Sequence, residues 1–192
     1  MIKLNLPPYP VRLKTENGKQ KIFDTLRRRY VALTPEEWVR QHFVHFLITH
    51  KHYPATLLAN EVRLSLGEKC VRADSVLYDN RLQARMIVEY KAPHIPITQK
   101  VFDQISVYNL LLHVDYLVVS NGLQTYACRM DYANQKYLFL ESLPDYDNIW
   151  QSIASSFCLS FINRDGETSF VSDFSAILLV AISFGITFAI SR

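Results

Sequence analysis

The sequence predicts a mixed α/β domain in which helices cover a central sheet. Three observations carry that class. Two segments, 34–51 and 98–113, combine helix-start residues with a one-sided apolar pattern. Strand-like runs lie between them and after the second, giving the order helix, three strands, helix, strand, with more strand beyond. Finally, 192 residues with 49% apolar and 20% charged side chains suffice for one well-packed core.

The elements follow in order. "VRLKTENGKQKIFD" reads as an N-terminal hairpin, because Asn17-Gly18 supplies the positive φ angles of a tight turn. "RRRYVAL" follows. In "TPEEWVRQHFVHFLITHK", Thr34 is an N-cap, Pro35 suits the first turn, and Glu36 and Glu37 complement the helix dipole. Trp38, Val39, Phe43, Phe46 and Leu47 form the expected buried side of this helix. "TLLANEVRLSLG" alternates as a strand, and "RADSVLYDNRLQARMIVEYKAP" as a hairpin closed by Pro93 and Pro96. Thr98 is expected to cap the second helix. "DYLVVSN" reads as a short buried strand, Asn121-Gly122 turns the chain into "LQTYACRMD", and "KYLFLESL" is a further strand candidate.

The second hairpin carries charge among its apolar residues. Residues two apart in a strand share a face, about 6.5–7 Å apart, so Glu89 and Lys91 point the same way. With a loop over 79–84, Tyr78 faces Arg85, and counting back sets Asp74 opposite Glu89. Opposed Cβ atoms lie about 4.5–5.5 Å apart, and like charges there repel unless something positive intervenes. Two such carboxylates suit a magnesium ion, which takes oxygen ligands and keeps several waters. The Tyr90 backbone carbonyl is another candidate ligand, and Lys91 a group to position a water or steady charge on a phosphate. An E-x-K triplet alone is better explained by an ordinary surface ion pair. Its place after "MIV", across from an Asp, is what points to phosphodiester hydrolysis.

With those residues in hand, the chain resembles the PD-(D/E)xK nuclease superfamily. It is most similar to the N-terminal nuclease domain of type I restriction enzyme R subunits, in a short stand-alone form. The segments that carry the resemblance are "IFDTLRRRYVALTPEEWVRQHFVHFLI", "RADSVLYD", "IVEYKAP", "FDQISVYN" and "DYLVVSNG". The resemblance implies a restriction-endonuclease-like αβββαβ core over residues 1–150, with helices flanking the sheet. It implies metal-binding roles for Asp74 and Glu89, a catalytic Lys91, and a supporting Q-x-x-x-Y pair, Gln104 and Tyr108, on one helix face. A first-helix glutamate is implied as well: Glu37, with Glu36 and Glu61 as rivals. Mg2+, with Mn2+ as a substitute, is the implied cofactor, and DNA and restriction-system subunits the implied partners. Cutting both strands with one site would require a homodimer or two visits. Ala73 replaces the proline of the family motif, and no GxxxxGK[ST] pattern occurs, which excludes ATP-driven translocation by this chain. The alternative is a non-catalytic module that binds nucleic acid or a partner.

The formal charge of +3 permits a polyanionic partner without requiring one. Arg27, Arg28 and Arg29 are a candidate phosphate-contacting patch, or a solvated connector. His42, His45, His50 and His52 are expected on a solvent-facing helix surface, since a zinc site needs better-placed ligands. Cys70, Cys128 and Cys158 form no CxxC pair, and "MIKLNLPPYP" lacks a secretory apolar run, so reduced thiols in a cytoplasm are expected. The composition changes near residue 150: residues 1–150 hold 19 of the 21 Lys+Arg and 15 of the 18 acids. The uncharged run 174–190 leaves three readings for 151–192: a membrane anchor, a segment buried against the domain, or a tail from an altered reading frame.

Overall fold

Turn chemistry sets the N-terminal element. The computed structural model describes residues 2–66, 69–134 and 136–149. Asn17 (φ 51°) and Gly18 (φ 68°) adopt the left-handed turn that the sequence requires. They join β1 (Leu13–Glu16) to β2 (Lys19–Asp24). β3 (Arg29–Ala32) pairs with the other side of β2, so the hairpin becomes a three-stranded antiparallel sheet.

α1 (Pro35–His50) starts as its sequence dictates, with the Thr34 hydroxyl accepting the Glu37 backbone N–H at 3.0 Å. β4 (Leu58–Leu66), β5 (Lys69–Tyr78) and β6 (Ala84–Tyr90) follow. Then come α2 (Gln99–Leu112), β7 (Tyr116–Ser120), β8 (Thr125–Asp131) and β9 (Lys136–Leu140). The expected order α, three β, α, β is therefore observed, and β8 and β9 extend it. β4 to β9 form one six-stranded sheet in sequence order. β6 and β7 run parallel, as a crossover through α2 requires, and every other neighbouring pair is antiparallel. All five residues of β7 are buried, which explains its unbroken apolar run.

The two faces of this sheet carry separate cores. On one, Val39, Phe43 and Leu47 of α1 pack with Leu77, Met86, Val88, Tyr90, Tyr116 and Val118. On the other, Val101, Phe102, Ile105 and Tyr108 of α2 pack with Val76, Ile87, Leu117 and Val119. Alternate residues of β6 thus serve opposite helices, the period of two expressed in packing.

Several expectations need correction. A bulge between Leu77 and Tyr78 pairs Tyr78 with Ala84, not Arg85, because β6 begins at residue 84. The rest of the ladder keeps the expected register, with Ser75 across from Val88 and Val76 from Ile87. Thr98 occupies the N-cap position of α2, but its side chain makes no cap hydrogen bond. Trp38 and Phe46 only flank the core. His42 is not solvent-facing: it is buried, its Nδ1 lies 2.8 Å from the Trp38 carbonyl, and its ring meets Trp38 and Tyr9. Among the described residues no helix is long and apolar enough to cross a membrane. The readings for 151–192, including the anchor at 174–190 and Cys158, lie outside the described residues.

Candidate active site

The ends of β5 and β6 bring acids together by register alone. Continuing the β5–β6 ladder one pair beyond Ser75 and Val88 sets Asp74 across from Glu89. On the other side, Asn60 pairs with Ser75 and Val62 with Ala73, which sets Glu61 across from Asp74. Glu61, Asp74 and Glu89 therefore form one row across three strands. Glu61 has φ 59°, a left-handed conformation unusual inside a strand and costly for a residue with a Cβ.

The first helix reaches this row from one side. Arg40 Nη2 donates to Asp74 Oδ1 at 2.6 Å, while Arg40 Nη1 donates to Glu61 Oε1 at 2.6 Å and Glu37 Oε2 at 2.7 Å. The Asp74 carboxylate is held at its other oxygen too, where Oδ2 accepts the Tyr90 backbone N–H at 2.9 Å. The Arg40 guanidinium also lies 5.7 Å from the centre of the buried Tyr90 ring. Despite burial, which works against a charge, Asp74, Glu37 and Glu61 hold that guanidinium above its ordinary pKa.

The second helix reaches in from the opposite face. Lys91 Nζ donates to Glu89 Oε1 at 2.7 Å and to Gln104 Oε1 at 3.2 Å. Gln104 Nε2 donates to Glu89 Oε1 at 2.9 Å and to the Tyr108 hydroxyl at 3.1 Å. One turn of α2 thus places Gln104 and Tyr108 on the same face, with Glu89 and Lys91 before it. Glu89 is buried at 4% exposure, and its Oε2 has no hydrogen-bond partner. Burial first, and then the Asp74 charge, push the Glu89 carboxyl up to about 7 against the opposing pull of Lys91. Lys91 is held above its ordinary value: burial opposes the charge, but the bond to Glu89 and the acids around it prevail. Its amine is an ammonium at neutral pH.

The structure thus gathers Asp74, Glu89, Lys91, Gln104 and Tyr108 into one network. Tyr90 sits at its centre, its hydroxyl donating to Ser75 Oγ at 3.1 Å. Glu37 turns towards Arg27, Arg40 and Gln41. The α1 carboxylate whose charge reaches Glu89 is that of Glu36, itself raised by burial and by Asp74. The three arginines separate: Arg27 is tied to Asp24 at 2.6 Å and to Glu37 at 3.3 Å, while Arg28 and Arg29 are exposed. Sequence reasoning missed Arg40. The signal available was an arginine between Val39 and Phe43, on the helix side otherwise filled by core residues.

A magnesium ion fits part of this donor set. The unpartnered Glu89 Oε2 is a carboxylate oxygen that burial leaves in need of a cation, and each Asp74 oxygen keeps a lone pair beyond its one bond. Among the described residues, however, no group of three or more His, Cys, Asp or Glu side chains could hold a metal ion. The protein's share would be two carboxylates and the Tyr90 carbonyl, with water and substrate completing the shell.

Comparison with known proteins bears on the family. No curated protein matches the sequence. Among solved structures, the chain is similar to a fragment assigned as the HsdR subunit of a type I restriction enzyme from Vibrio vulnificus YJ016. The identity is 17% and the TM-score 0.48, and the match covers 64% of this chain and 26% of that one. The chain therefore spans about a quarter of that relative's length. The family model described as type I restriction enzyme R protein N terminus (HSDR_N) matches residues 35–144, from the first turn of α1 past the end of β9. The chain belongs to the family of type I restriction enzyme R protein N-terminal domains.

Proposed function

We propose that this chain is a metal-dependent DNA endonuclease domain of a restriction system, hydrolysing phosphodiester bonds. The observation that supports this reading is the opposition of Asp74 and Glu89 on neighbouring strands, with the Lys91 ammonium 2.7 Å from Glu89. Asp74, Glu89 and the Tyr90 carbonyl would hold Mg2+ or Mn2+. When bound, the ion supplies a Lewis acid for the phosphoryl oxygen and lowers the pKa of a coordinated water.

The chain's own groups have separable tasks. Lys91, kept protonated, steadies negative charge that builds on the phosphate and does not act as a base. Gln104 ties Lys91 to Glu89 through both ends of its amide, and Tyr108 holds Gln104. Arg28 and Arg29, both exposed, are available to the DNA backbone. DNA and other restriction-system subunits are the partners this reading implies. A plasmid-nicking assay with Mg2+ tests it: wild type nicks and Lys91→Ala does not. Equal nicking by the two would remove the assigned chemistry.

One observation favours a second reading, a non-catalytic module that binds nucleic acid or a restriction partner. Asp74 is already paired with the buried Arg40, and Glu89 with Lys91. Calorimetric titration with Mn2+ in the presence of DNA separates the two. DNA binding with no metal-dependent heat selects the module.

A further inference from the structure

Arg40 is the most heavily committed charged side chain at the site, and neither the catalytic network nor the family resemblance uses it. It is 3% exposed. Its two terminal nitrogens contact carboxylates from three elements: Glu37 of α1, Glu61 of β4 and Asp74 of β5. The outer two acids have further cations of their own. Arg27 lies 3.3 Å from Glu37, and Arg72 lies 2.5 Å from Glu61. Asp74 has no second cation among its described bonds; its other oxygen meets the Tyr90 N–H.

We infer that Arg40 is a positioning residue for Asp74, fixing the plane of its carboxylate towards Glu89. Two donors on two different oxygens, Arg40 Nη2 and Tyr90 N, define that plane. Rotation of the Asp74 side chain breaks one bond or the other, a loss that its burial makes costly. Glu37 and Glu61 do for Arg40 what Arg40 does for Asp74. They fix the guanidinium at Nη1 and leave Nη2 to donate to Asp74 of β5, with Glu36 Oε1 more distant at 4.0 Å. A lysine keeps the charge but lacks the fork, so it cannot serve the Nη1 acids and Asp74 in the same geometry.

The link from Asp74 to metal binding rests on the proposed function, whereas the contact itself does not, so two measurements are needed. The first uses metal-free protein and reads the Tyr90 amide proton, which reports its hydrogen bond to Asp74. Arg40→Lys should shift that resonance upfield, and Arg72→Gln, which removes only the exposed partner of Glu61 and leaves every Arg40 contact in place, should shift it little. An unmoved Tyr90 amide in Arg40→Lys overturns the positioning role. If Arg40→Lys does not fold, Asp74→Asn reads the same contact from the other side. A changed Arg40 Nη2 resonance supports it and an unchanged one overturns it. The second measurement titrates wild type and Arg40→Lys with Mn2+ by calorimetry, with a loss of about 10–100-fold in affinity expected. Equal affinities overturn the inference for the loaded site. A wild type that binds no Mn2+, together with a shifted Tyr90 amide, overturns the metal reading and leaves Arg40 as the residue that positions Asp74.

Discussion

Lys91 Nζ donates to Glu89 Oε1 over 2.7 Å, yet the other oxygen of the same carboxylate is buried without a partner. A carboxylate half-satisfied in this way binds a proton readily. Burial and the Asp74 charge accordingly push Glu89 from 4.5 up to about 7. Between those two values the folded protein holds a proton that the unfolded chain has released. Its contribution to stability is complete below about 4.5 and is lost as pH rises through about 7. Glu89→Gln, which cannot ionise, should therefore gain stability relative to wild type as pH is raised from 5 to 8. The relative gain should be no more than about 3 kcal/mol. Urea melts of both proteins at the two pH values measure it, and a constant difference between them contradicts the assignment.

The same protonation bears on metal loading under the proposed function. A divalent ion needs the ionised carboxylate, so its binding displaces the Glu89 proton. Apparent Mn2+ affinity should rise between pH 6 and 8, with proton release detectable from the buffer dependence of the calorimetric heat. A flat affinity over that range would place the ion away from Glu89.

Buried and exposed thiols should behave oppositely. Cys128 is buried in the α2-side core, its thiol donating to the Leu117 carbonyl at 3.6 Å, and burial pushes its pKa up to about 11. Cys70 is exposed on β5. Iodoacetamide on the folded protein should label Cys70 and spare Cys128 until denaturant is added, as read by peptide mass spectrometry. Early labelling of Cys128 would mean that β7 and β8 open readily.

Much of this architecture was legible because it follows from short-range chemistry. Thr34, Pro35 and the paired glutamates mark the start of α1, and Asn17-Gly18 marks the first turn. The opposition of Asp74 and Glu89 was counted from a Tyr78–Arg85 pair that does not form, and it holds because the Leu77–Tyr78 bulge absorbs the one-residue offset. The Leu77–Tyr78 bulge was not legible, since an extra residue at a loop end leaves no compositional trace. Nor was the Arg40 hub. Glu37 and Arg40 are neighbours in sequence, but Glu61 and Asp74 meet them only after three elements pack, and no pattern within one element records that. His42 misled for the same reason: a polar ring reads as exposed until Tyr9, 33 positions earlier, folds over it.

Gly122 tests the seam between the N-terminal segment and α1. It has φ 80°, and a Cβ there would lie 2.8 Å from Leu4 Cδ2 and 3.2 Å from Val39 Cγ2. The backbone is fixed on both sides, since Asn121 Oδ1 accepts the Leu123 and Gln124 N–H groups and Asn5 N–H donates to the Gly122 carbonyl. Gly122→Ala therefore combines positive-φ strain with crowding of Leu4 and should cost about 1–3 kcal/mol. Leu4→Ala in the same chain removes the nearest clash. The double variant should recover part of the loss specific to Gly122→Ala, a coupling that a double-mutant cycle of melting curves measures.

Gln104 and Tyr108 should differ in what they remove from the proposed catalysis. Gln104 contacts Glu89, Lys91 and Tyr108, whereas Tyr108 reaches the network only through its hydroxyl. Tyr108→Phe keeps the ring in the α2-side core and loses one hydrogen bond, worth about 1 kcal/mol. Plasmid nicking should fall by less than about 10-fold, matching that loss. Gln104→Leu releases both Glu89 Oε1 and the Lys91 amine from their amide partner, so its nicking rate should fall further than that of Tyr108→Phe. Because the Gln104 contacts lie at the partly exposed end of the network, each variant should lose no more than about 1 kcal/mol of stability. A Tyr108→Phe variant as impaired as Gln104→Leu, at unchanged stability, would mean that the hydroxyl contacts substrate directly and does not act through the amide.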